Sequence, residues 1–142
     1  MRNRLARAGL AMAVFLCASI VTGTAHAAEC GASEESGVWV NPNAALKSLS
    51  RLEIKTVCTA GHHGWRVRAL TRCSRTECTW GYAKGVRRPD GALAALFETF
   101  SADRLVRMSV DRDVMHVAVV NAFRSARPNS VARYVFERQY DE

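Results

Sequence analysis

The residues able to do chemistry are few, and their spacing decides what they can do. Cys30, Cys58, Cys73 and Cys78 lie in the body of the chain, with a fifth cysteine, Cys17, near its start. His62 and His63 are adjacent between Gly61 and Gly64, and His116 stands alone. Adjacent imidazoles do not converge on one ion without further ligands, so no metal site is expected. No HExxH, GxSxG or cysteine–histidine nucleophile pattern occurs, and such motifs are what fix a base or nucleophile in place. Glu34, Glu35, Asp90, Asp111 and Asp113 sit among turn residues and read as turn and cap acids. No catalytic residue or cofactor is expected, and the chain does not read as an enzyme.

Two other sets of residues offer binding. Trp65, Trp80 and Tyr82, with Trp39 and Phe97, would line an interior in which rings stack on a flat or apolar small molecule. The same rings would equally fill a core. Arg51, Lys55, Arg66, Arg68 and Arg72 fall on the outward phase of two neighbouring segments, with only Glu53 among them. That is either a basic stripe that attracts an anionic partner or an ordinary solvated face.

The N-terminus bears on where this chemistry happens. Arg2, Arg4 and Arg7 precede an apolar run from Leu10 to Val21, and Ala25-His26-Ala27 fits the small-residue cleavage rule. Residues 1–27 therefore read as an export leader, with Ala28 the first mature residue and residues 28–142 one domain. The apolar run is short of the roughly 20 residues of a membrane span, so no transmembrane segment is expected after leader removal. Cys17 falls within the leader, and Leu16 before it argues against lipid attachment. Without the three leader arginines, 17 of the 20 cations remain against 13 acids, a charge of +4 rather than +7. That bias suits anionic surfaces such as lipid head groups or acidic glycans. No basic run, zinc finger or aromatic RNA-binding motif is present, so nucleic acid is not an expected partner.

The elements that must position these residues read as strands. Leu52, Ile54, Thr56 and Cys58 alternate with Arg51, Glu53 and Lys55; Trp65, Val67, Ala69, Thr71 and Cys73 oppose Arg66, Arg68 and Arg72. Cys78, Trp80 and Tyr82 continue the inward phase. Further strands fit Gly37 to Asn41, Ala92 to Phe100, Arg104 to Val110, Val114 to Phe123 and Val131 to Arg138. Eight short sequential strands predict an all-β, up-and-down antiparallel barrel, because closure removes both exposed edges. The segment Ala92 to Phe100 also fits a helix, with Leu93, Leu96, Phe97 and Phe100 at helical spacing. Pro42 to Lys47 suits a helical turn.

Register pairs the cysteines. A hairpin turning over Ala60 to Gly64 would set Cys58 opposite about Val67 and Cys73 opposite about Leu52, roughly 20 Å apart. Cys73 and Cys78 bracket a tight turn, which leaves Cys30 for Cys58. The barrel is expected to be stapled by those two bridges.

Gly37-Val38-Trp39-Val40-Asn41 resembles the first-strand signature of the calycins, the lipocalin and avidin-like barrels. The resemblance implies that Trp39 closes the barrel floor against an arginine of the last strand, Arg138 or Arg133, and that Asn41 turns toward a ligand's polar head. The later ligand-contacting residues of avidins have no clear counterparts. A closer resemblance is to uncharacterised secreted bacterial domains with Gly-x-Trp-x-Asn and Cys-x4-Cys-x-Trp-Gly motifs, matched by Cys73 to Gly81. It implies fold, secretion and a Cys73–Cys78 bridge, and brings no activity.

The expected function is a periplasmic or secreted binding module that holds a small apolar or aromatic molecule inside the barrel. The alternative is an envelope module, an inhibitor among the possibilities, that binds a protein or an anionic glycan through its basic outer face while the interior is packed. An enzyme ranks third, with no residue to support it.

Overall fold

The structure is a computed structural model that describes residues 30–140; the expected leader and Cys17 lie outside them. Eight strands follow in order: β1 Gly37–Val40, β2 Leu49–Thr59, β3 His62–Arg72, β4 Glu77–Arg87, β5 Leu93–Glu98, β6 Ala102–Asp111, β7 Val114–Phe123 and β8 Ser130–Gln139. Each pairs antiparallel with the next, and β1 pairs with β8 through Trp39 opposite Arg138, so the sheet closes into a barrel. Alternation drives the closure. Inward positions such as Leu52, Val67, Leu93, Val106, Met108, Met115 and Phe136 are fully buried, while on β2 and β3 charged residues such as Glu53, Lys55, Arg66 and Arg68 take the intervening outward positions. Burying such side chains is worth roughly 1.5–3 kcal/mol each.

β5 is a strand, which resolves the helix alternative. Leu93, Ala95 and Phe97 point into the core, whereas Leu96 is exposed. Pairing with both β4 and β6 supplies backbone partners that a helix from Ala92 to Phe100, marginal by itself at that length, would lack. The segment Pro42 to Lys47 forms successive turns, not the helical turn expected there.

The β2–β3 hairpin is tighter than the expected five-residue connection. Ala60 and Gly61 alone make the turn, both with positive φ (49° and 76°), the geometry of a two-residue hairpin that matches strand twist. Cys58 therefore faces His63, not Val67. Cys73 lies ten residues beyond His63, about 34 Å along the strand direction, so the correction separates Cys58 and Cys73 further. The bridges are Cys30–Cys58 and Cys73–Cys78, with Cα separations of 5.5 and 5.8 Å.

A bulge in β4 changes which side chains face out. Ala69 pairs with Gly81 but Leu70 pairs with Thr79, so Trp80 is one residue too many on its strand. Gly81, at φ 91°, accommodates the kink. The phase flips there: Trp80 packs inward, and Tyr82, expected inside, stands on the outer wall at 56% exposure. Inward places after the bulge fall to Gly81, Ala83 and Gly85. At Gly85 an added Cβ would lie 2.7 Å from that of Trp65, which makes glycine the residue that fits.

Candidate anion-binding face and the sealed interior

The barrel ends are closed by tryptophan–arginine stacks. At one end the segment Ser33–Ser36 folds across the opening. Trp39 Nε1 donates to the Glu35 carbonyl (2.9 Å), and Arg138 donates to the carbonyls of Ser36 (2.7 Å) and Glu34 (2.6 Å). Trp65 Nε1 donates to Ser33 Oγ at 2.8 Å, and the Arg87 guanidinium lies 4.7 Å from the Trp65 ring centre. Arg87 also pairs with the buried Glu35 carboxylate, one bond being 3.0 Å. Burial alone would push the Glu35 carboxyl up, but hydrogen bonds from Arg87, its own backbone and Ser33, with the Arg87 charge, hold it below its ordinary value.

At the opposite end Trp80 packs edge-on against Phe97, and Arg104 covers its ring at 4.8 Å. Arg104 is partly buried there, which lowers its proton affinity. Trp65 and Trp80 are therefore lids at two different ends and do not converge on one ligand. Asn41 is buried with its amide committed: its nitrogen donates to the Leu49 carbonyl (3.0 Å) and its oxygen accepts from the Asn43 backbone (3.0 Å). Between the lids, the interior is occupied by the barrel's own side chains.

The basic residues divide by partner. Arg51 pairs with Glu77 at 3.2 Å and Arg68 with Glu53 at 3.3 Å. Arg72, at the end of β3, donates to the Ala44 carbonyl at 2.8 Å and so braces a loop. Lys55 and Arg66 differ. They stand directly opposite each other on β2 and β3, and Lys84 on β4 stands opposite Arg66, so three cations form one row across three strands. The row contains no acid. Arg66 lies 4.0 Å over the Tyr82 ring and Arg68 5.5 Å from it, which fixes the phenol beside the row.

An open depression of about 510 Å³ adjoins this row, bounded by Val57, His62, Gly64, Tyr82 and Lys84 among others. Gly64 supplies its floor, since a Cβ there would meet only the Val57 carbonyl, at 3.5 Å. Lys84 was missed by alternation counted without the bulge; Gly81, with small residues at Ala83 and Gly85 two and four places on, is the signal that would have found it. His62 and His63 are consecutive on β3 and so point to opposite faces. His62 Nδ1 lies 2.9 Å from the Ala60 carbonyl, and His116 is on β7 opposite Ser109. Among the described residues no group of three His, Cys, Asp or Glu is placed to hold a metal ion, and no helix is long and apolar enough to cross a membrane. No family model, curated protein or solved structure matches the chain.

Proposed function

We propose that the protein is an exported binding module that engages an acidic glycan of the cell envelope or its surroundings through the outer face of β2–β4. The observation that carries this reading is the acid-free row Lys55–Arg66–Lys84 beside a fixed tyrosine and an open depression. Three exposed cations at strand spacing place positive charge every ~4.8 Å across the sheet, and a linear polyanion can meet all of them at once. Two disulfides fit an oxidising compartment, in keeping with export.

A small apolar ligand inside the barrel has less to support it. Core side chains occupy the volume it would need, and Trp65, Trp80 and Asn41 already have protein partners. The Trp39–Arg138 contact supports reading the barrel as calycin-like.

The test compares retention of residues 28–142 on heparin, a sulfated polysaccharide, with retention on neutral dextran, as salt is raised. Binding to heparin alone, released as salt rises and lost in a Lys55→Ser/Arg66→Ser/Lys84→Ser variant that still folds, is the expected result. Salt-independent binding of an apolar dye, weakened by Trp80→Ala, would instead favour the interior.

A further inference from the structure

The wall on the other side of the barrel carries a different pattern. Leu96, Leu105, Val120 and Val131 stand opposite one another on β5, β6, β7 and β8, all in the outward phase. Leu96 is 51% and Val131 53% exposed, with Leu105 and Val120 half-buried between them, so an aliphatic row meets solvent over four strands. Two residues along each strand in one direction come Ala94, Arg107, Ala118 and Arg133, again mutually opposite. In the other direction come Glu98, Asp103 and Ala122. The aliphatic row is thus bordered by arginines on one edge and carboxylates on the other.

That arrangement is complementary to itself. Turn a second copy by half a revolution about the aliphatic row and lay it face to face on the first. The two aliphatic rows meet, and the strand direction reverses, so each arginine edge falls on the partner's carboxylate edge. Arg107 of one copy then meets Asp103 of the other, twice per dimer. A patch with both borders of one sign would repel its own copy. We infer that the outer face of β5–β8 is a two-fold interface and that its occupant is a second copy of this chain.

Details of the wall agree with this. Ala118 and Ala122 flank Val120 with small side chains, which lets the partner's row approach. Arg107 is paired within the chain to Asp90, and Asp103 to Arg124 at 2.5 Å, but all four side chains are 40–54% exposed. Exposed pairs of this kind are weakly held and exchange partners at small cost. The cationic row of β2–β4 lies outside this interface, so a dimer would present it twice.

Sedimentation equilibrium on residues 28–142, over a wide concentration range, tests the inference. A reversible dimer is expected, with Leu105→Asp shifting it to monomer. Because an aspartate there could disturb folding, the deciding variants reverse charge at the border. Arg107→Asp alone and Asp103→Arg alone each bring like charges together across the two-fold and should weaken the dimer about tenfold or more. Both changes in one chain exchange the two borders and should restore it. Circular dichroism confirms that the variants fold. A wild-type monomer at all concentrations, a dimer indifferent to the single reversals, or a double variant no tighter than the singles would each overturn the inference.

Discussion

The guanidinium carbon of Arg138 lies 4.1 Å from the centre of the Trp39 ring, and the two residues face each other across the seam where the last strand closes on the first. Gly37 makes room for this contact: a Cβ there would come within 3.1 Å of Arg138 Nη1. The arginine also holds two carbonyls of the segment that covers the barrel end. Closure of the sheet and capping of its mouth thus depend on the same pair.

Trp39→Ala should therefore cost about 3–5 kcal/mol, the range for deleting a large buried aromatic. Arg138→Ala should cost about 1.5–3 kcal/mol through its charged hydrogen bonds. The double variant should fall short of the sum, because both changes break one contact. Denaturant unfolding measures all three. A Trp39→Ala cost below about 1 kcal/mol would mean that the ring does not anchor the floor.

Stability should fall in acid through Glu35. Its carboxyl is held below the ordinary value of 4.5, so the folded state binds that proton less readily than the unfolded chain. The resulting stabilisation is complete above the unfolded value and is lost as pH drops through the lower folded one. Glu35→Gln should be less stable than wild type near neutrality by about 1–2 kcal/mol. It should also show a shallower loss as pH falls below the ordinary value of 4.5. Equal acid slopes in thermal melts would place the acid sensitivity elsewhere.

Much of this architecture was legible in the chain, and the failures share a cause. Alternation marks the strands because an apolar core needs one face of each. It does not reveal local changes of phase. The extra residue at Trp80 turned Tyr82 outward and brought Lys84 into the cationic row, and only Gly81 advertised it. The Ala60–Gly61 turn was concealed because glycines at both 61 and 64 permit a longer loop. Leu93, Leu96 and Phe97 fit helical spacing while Leu93, Ala95 and Phe97 fit strand spacing, and the pairing partners on β4 and β6 decided between them. Partner assignment lay further out of reach: Arg51, Arg68 and Arg72 look like Arg66 in sequence, and only geometry gives them Glu77, Glu53 and Ala44.

The two disulfides should differ in worth. Cys30–Cys58 closes a loop with a sequence separation of 28, and Cys73–Cys78 one of 5. Chain entropy alone assigns about 3.6 kcal/mol to the first and about 2.2 kcal/mol to the second. Paired serine substitutions, compared by unfolding under non-reducing conditions, should show the larger loss for the first bridge. Non-reducing peptide mapping should recover both pairs, and a Cys58–Cys73 peptide would contradict the register of β2 and β3.

The basic face allows the sharpest residue-level prediction, because its cations are not equivalent in place. Lys55, Arg66 and Lys84 share a row without acids, so each adds attraction for a polyanion that no internal carboxylate offsets. Replacing any one of them with serine should weaken heparin binding about three- to tenfold and flatten its salt dependence, since one fewer counterion is displaced. Arg51→Ser should do much less, because Glu77 already neutralises that side chain, and Arg72→Ser should act mainly on the loop at Ala44. Tyr82→Phe should preserve binding if the ring serves to fix Arg66, whereas Tyr82→Ala should weaken it. Affinity measured by calorimetry at several salt concentrations separates these effects. Equal losses for Arg51→Ser and Lys84→Ser would show that net charge, not the row, recruits the partner.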